Sequence, residues 1–179
     1  TSHTRPRWSS SCAASYTDFM RNWVLVLALS PALLAEAAAG LKWNTPQGWK
    51  NEGARQMRAA TYSVPVSPGD REPAECAAYF FGQSGGGGVQ ANIDRWKAQF
   101  QRNGMPAEAK IEKRTVHGLP VTTIESSGDY TGMGGPMAQQ KPAVHNYHLL
   151  GAIVEGPGGN IFVKLTGPAR TVEANRKQL

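Results

Sequence analysis

Residues 74–101 read AECAAYFFGQSGGGGVQANIDRWKAQFQ, and the change of period inside that stretch decides the fold. Positions 74–81 alternate as a strand does, with Glu75, Ala77, Tyr79 and Phe81 on one face and Ala74, Cys76, Ala78 and Phe80 on the other. Both faces are largely apolar, so the strand belongs inside a sheet that is covered on at least one side. After the glycine run, Val89, Ile93, Trp96 and Phe100 recur at spacings of four, three and four, which is one face of an α-helix over 89–101. Gly104 and Pro106 end it. A helix that short is not stable alone, so its stripe must dock on a sheet, and the strand beside it in sequence is the expected partner.

The remaining elements follow from punctuation and period. Residues 40–49, GLKWNTPQGW, give a short strand or arm and a turn. Residues 55–65 end at a proline and read as a strand, and 66–73 as a loop. Residues 109–116 and 119–130 flank His117-Gly118 as a hairpin. The first of the two carries Lys110, Glu112, Lys113 and Arg114 and belongs at a sheet edge. Residues 131–142 are rich in Gly, Met and Gln and read as a long loop. Residues 147–155 (YHLLGAIVE) and 161–166 (IFVKLT) form a strand pair across Gly156-Pro157-Gly158-Gly159. Pro168 then suits the first position of a C-terminal helix. The expected fold class is therefore α+β: an antiparallel β-sheet flanked by helices, in a single domain over 40–179 whose last helix reads as cut short.

Upstream lies a different kind of segment. Met20–Gly40, MRNWVLVLALSPALLAEAAAG, places Arg21 before an apolar run, with small residues at Ala35-Glu36-Ala37 and Ala37-Ala38-Ala39 as cleavage positions. That order is a secretory signal peptide over 20–39, too short for a membrane span. Residues 1–19 are polar, lack either period, and are set aside as a non-structural segment. The expected location is therefore exported, in the periplasm or outside the cell, with no transmembrane segment once the leader is removed.

The chain carries a net charge of +6. From residue 40 onward the balance is +5, because Arg5, Arg7 and Arg21 fall in the leader region along with Asp18 and Glu36. The basic residues are dispersed and interleaved with Glu108 and Glu112, which argues against a nucleic-acid groove. Cys76 is the one cysteine after the leader, so no internal disulfide forms. In a strand it reads as a buried thiol rather than a nucleophile.

Few residues carry chemistry. Gly85, Gly86, Gly87 and Gly88 open a helix, where free backbone N–H groups can hold an anion, and they are the candidate ligand-binding residues. Neither the P-loop pattern nor the dinucleotide fingerprint is completed there. His145 and His148 lead into a strand, where a spacing of three puts them on opposite faces, so no metal site is expected. Glu125 and Asp129 form a carboxylate pair near a strand end, and Ser126-Ser127-Gly128-Asp129 lacks a nucleophile elbow. No catalytic residue and no cofactor is assigned.

Residues 43–49 (WNTPQGW), 57–62 (MRAATY), 79–82 (YFFG), 91–96 (ANIDRW) with Gln99 and Phe100, and 162–168 (FVKLTGP) resemble a group of uncharacterised exported bacterial proteins. The resemblance covers most of residues 41–170. More distantly, the order of elements resembles the PsbP-like α/β sandwich. That likeness implies a sheet flanked by helices and no catalytic residues, and fold analogy alone transfers no function. The functional expectation is an exported, non-enzymatic binding or accessory module, with an unknown protein or small-molecule partner in the envelope. Its contact surface would be the loops at 82–88 and 131–142. The alternative is an extracytoplasmic hydrolase using Cys76, or a His with a carboxylate from among His117, His148, Glu125 and Asp129. A third reading is a subunit of an envelope assembly.

Overall fold

Ala74–Phe80 is a strand, and Val89–Lys97 a helix, in a computed structural model that describes residues 36–132 and 142–179. The chain order is β1 (Glu36–Ala38), β2 (Leu41–Trp43), β3 (Lys50–Asn51), β4 (Ala60–Val64), β5 (Ala74–Phe80), α1 (Val89–Lys97), β6 (Phe100–Arg102), β7 (Met105–Pro106), β8 (Ala109–Val116), β9 (Leu119–Tyr130), β10 (Val144–Gly156), β11 (Gly159–Pro168) and α2 (Ala169–Ala174), with a 3₁₀ turn at Arg176–Gln178. Nine strands make one sheet in the order β3-β4-β5-β11-β10-β9-β6-β7, with β8 also paired to β9. Every pairing is antiparallel. β1 and β2 form a separate two-stranded ribbon.

The expected helix-flanked α+β fold, the PsbP-like α/β sandwich included, is corrected by this architecture. The molecule is mostly antiparallel β-sheet, and among the described residues its two α-helices are short, nine and six residues long. The reason is local. The stripe that predicted a helix through residue 101 is helical only to Lys97. Phe100 is buried from a strand instead, because β6 turns back to pair Phe100 with Tyr130. The C-terminal helix likewise stops at Ala174. Neither helix forms a layer over the sheet.

Hairpins fix the register. His117 and Gly118 both have positive φ, 50° and 81°, the mirror-image turn that matches strand twist, and Val116 pairs with Leu119 across it. β8 pairs only with β9 and is exposed along nearly its whole length, as its charges predict for an edge. β10 and β11 pair over ten positions, from Tyr147↔Pro168 to Gly156↔Gly159.

Alternation along the central strands makes two cores. On the first face Ala74, Cys76, Ala78, Tyr62, Val64, Leu150 and Leu165 pack with Trp49 and with Val172 of α2. On the second, Phe162, Ile153, Leu149 and Ile124 pack with Ile93 and Trp96 of α1 and with Phe100. The apolar run of the expected leader and the loop at 133–141 lie outside the described residues; residues 36–38, which the leader reading over 20–39 includes, form β1. No helix among the described residues is long and apolar enough to cross a membrane.

Candidate functional site

The glycine run occupies the crossover from β5 to α1. The Asn92 side chain, almost fully buried, donates to the carbonyls of Gly86 at 2.8 Å and Gly88 at 3.0 Å. A Cβ on Gly86 would sit 2.6 Å from the rings of Phe81 and Phe162, and one on Gly85 would sit 1.9 Å from the Phe81 carbonyl oxygen. Close packing therefore accounts for Gly85 and Gly86. Gly87 and Gly88 stand at the loop surface, and Arg95, the nearby cation, donates to Asn92 Oδ1 at 2.9 Å.

The histidines go to three places. His117 is in the β8–β9 turn, and exposed His145 lies 2.7 Å from Asp129. His148, on the first face, is buried and places Nε2 3.1 Å from Glu125 Oε1. Glu173 of α2 approaches its other ring nitrogen at 3.9 Å. Glu125, His148 and Glu173 thus offer donor atoms within 4.8 Å of one another, a plausible ligand set by chemistry. Arg176 already holds both acids, however, donating to Glu125 at 2.6 and 2.9 Å and to Glu173 at 2.7 Å. Its guanidinium holds both carboxyls below their ordinary value. The cluster pins the chain's last turn to β9 and β10, at the rim of a cleft of about 220 Å³ bordered by Lys110, Arg114, Leu150 and Leu179. Sequence reasoning offered His148 with Glu125 as one of several His–carboxylate pairs, and the structure brings that pair together; Arg176 was not singled out at all.

This pin has a pH signature. A carboxylate held below its ordinary pKa of 4.5 contributes stability above that value and loses it as pH falls through the lowered one. Arg176→Met should cost about 1 kcal/mol at neutral pH, a small effect because the pair is partly exposed. It should also flatten the loss of stability below about pH 4.5. Urea melts of both proteins from pH 3 to 7 would check this.

Cys76 is 2% exposed, and burial pushes its thiol up to about 12. A thiolate nucleophile is not available there.

The second face holds a polar group that no motif announced. β11 alternates Phe162, Lys164 and Thr166 onto this face. Register sets Thr61, Ala77 and Lys164 in one row across β4, β5 and β11, with Glu75 and Thr166 in the next. Over them lie Gln99, from the turn after α1, and Tyr130 of β9. The Lys164 ammonium donates to Gln99 Oε1 and to the Tyr130 hydroxyl at 3.4 Å, and it lies 5.2 Å from the Tyr130 ring centre. Among the described residues no carboxylate is within ion-pairing distance of it. Glu75 is taken by Arg58, 2.9 Å away, whose guanidinium lies over Tyr79. Burial pushes the Lys164 pKa down to about 8. Three buried polar atoms there also lack a partner among the described residues: Thr61 Oγ1, Gln99 Nε2 and Thr166 Oγ1. Thr61 and Gln99 are 1% and 2% exposed, so bulk water does not satisfy them. Small Ala77 sits in the middle of the row.

A scan against protein-family models finds no match, and neither does a comparison with curated proteins. Among solved structures, a crystal structure described as "Protein of Unknown Function PA94 from Pseudomonas aeruginosa, Putative Regulator" aligns over 80% of this chain and 88% of its own, at 11% identity and a TM-score of 0.45. A likeness that slight carries no argument about fold or function.

Proposed function

We propose that this chain is an exported, non-enzymatic binding module that takes a small anion at the polar group around Lys164. Export is supported by the leader pattern at 20–39 and by the resemblance to exported bacterial proteins. The binding reading is carried by one observation: a buried cation has no carboxylate partner among the described residues and shares its surroundings with unpartnered polar atoms. A carboxylate or similar anion would supply a further acceptor for Lys164 and one for Gln99 Nε2. The hydrolase reading retains the 3.1 Å contact of His148 with Glu125 beside the cleft. Against it stands Arg176, which already occupies Glu125.

The test is thermal-shift and calorimetric titration of the wild type with acetate, pyruvate and inorganic phosphate at pH 7. A saturable rise in melting temperature is expected with at least one of these, and it should vanish in Lys164→Met. A response that survives Lys164→Met, or no response to any of the three, would overturn the site. Fractionation of cells expressing the chain from Met20 tests export separately.

A further inference from the structure

The side chain of Glu36, in β1, ends among three hydrogen-bond donors from three other strands. The Trp43 indole N–H reaches Glu36 Oε2 at 3.1 Å, and the Tyr62 hydroxyl donates to the same oxygen. Asn51 Nδ2 donates to Oε1 at 2.6 Å. Tyr62 and Asn51 are held by contacts that do not involve Glu36, whereas Trp43 lies on β2, which pairs with β1. Tyr62 is 3% exposed, and its ring packs against Trp49 with centres 5.9 Å apart. Trp43 packs on the same core and also reaches the Tyr62 oxygen at 2.8 Å. The Asn51 amide is oriented because its Oδ1 accepts the Gly53 N–H at 2.6 Å, which turns Nδ2 toward Glu36. Donors held this way lose little freedom on binding, which is how a site is preorganised for one ligand group.

Glu36 also lies inside the segment that the leader reading removes. Cleavage after Ala37 or after Ala39 hydrolyses one peptide bond, consumes one water, and carries Glu36 away with the leader. The Tyr62 hydroxyl and the Asn51 amide then point at a place without an acceptor. We propose that Trp43, Asn51 and Tyr62 form a carboxylate-binding site that Glu36 fills in the intact chain and that leader removal opens to an external carboxylate. The release step rests on the export reading; the site itself does not. The ligand class is the chemistry of Glu36: a carboxylate on a short aliphatic stem, whether a free acid or an acidic residue of a peptide.

The experiment uses the full chain in a Lys164→Met background, so that the polar group on the second face makes no contribution. The Trp43 indole N–H resonance, assigned by its loss in Trp43→Phe, is followed during titration with propionate and, in a second arm, with acetyl-Ala-Glu-Ala-amide. With Glu36→Ala a saturable shift is expected, and the intact chain should bind about tenfold or more weakly. Adding Tyr62→Phe should abolish the shift while circular dichroism stays unchanged. Glu36→Val, which suits a strand and offers no acceptor, should also admit the probe. Response to propionate would assign a free acid, and response to the peptide alone an acidic segment. No saturable shift with either probe in Glu36→Ala and Glu36→Val, or an equal shift in the intact chain, overturns the site. Sequencing the amino terminus of the exported product decides the release: a product that begins before Glu36 overturns it and leaves the binding result standing.

Discussion

Trp96→Ala will lower the unfolding free energy by about 3–5 kcal/mol, among the largest losses expected from a single side chain here. Trp96 is 5% exposed and lies on the second face between Ile93 and the central strands. Its seat exists because residue 151 is glycine: a Cβ there would come within 2.5 Å of the indole ring and 2.8 Å of Ile124. The cavity left by alanine therefore opens onto the Gly151 backbone of β10 and the side chain of Ile124. The nine residues of α1 are too few to hold a helix without docking. Removing the indole takes away most of what docks it. Urea unfolding followed by far-ultraviolet circular dichroism measures the change, and a loss below about 1 kcal/mol would contradict the packing described.

The second large effect concerns pH. Lys164 has its pKa held at about 8 by burial, against 10.5 for an ordinary lysine. The unfolded chain therefore binds the extra proton between pH 8 and 10.5, and stability rises with pH across that window. Below it, both states carry the charge and the full cost of burying an ammonium is present. Above it, both are neutral. Relative to Lys164→Met, the wild type should gain about 2–3 kcal/mol from pH 8 to 10.5. The comparison with the variant is needed because Tyr79, Tyr130 and Cys76 are shifted upward by burial and act in the opposite sense near the top of the range. Denaturant melts of both proteins at half-unit steps would read the difference, and parallel curves would mean that Lys164 is solvated.

Period and punctuation made the central strands legible. The alternation in β5, the edge charges of β8 and the His117-Gly118 turn each had a local signal, and the structure places all three as that signal implies. Phe100 misled because a spacing of four residues is satisfied as well by a strand that follows a helix closely as by one more helical turn. The long-range groups were legible only in pieces. Lys164 is a lone charge in IFVKLT, and alternation alone puts it beside Phe162 and Thr166, but nothing local brings Gln99 over it. Arg176 meets Glu125 from 51 positions away, a pairing that only the turn of chain after α2 creates. Glu36 looked like part of a cleavage signal, and its three donors are scattered over β2, β3 and β4.

The place of β11 in the sheet has a consequence for how the chain is made. It lies between β5 and β10, and its partner Cys76 in β5 comes 89 residues before Leu165. The sheet cannot close around its centre until β11 has been synthesised, long after β5. Pairings that span such separations form slowly, since a long loop must be ordered before any contact rewards it. The β5–β11 pairing is therefore expected to form after the local hairpins β8–β9 and β10–β11, so the middle of the sheet is the last part to close.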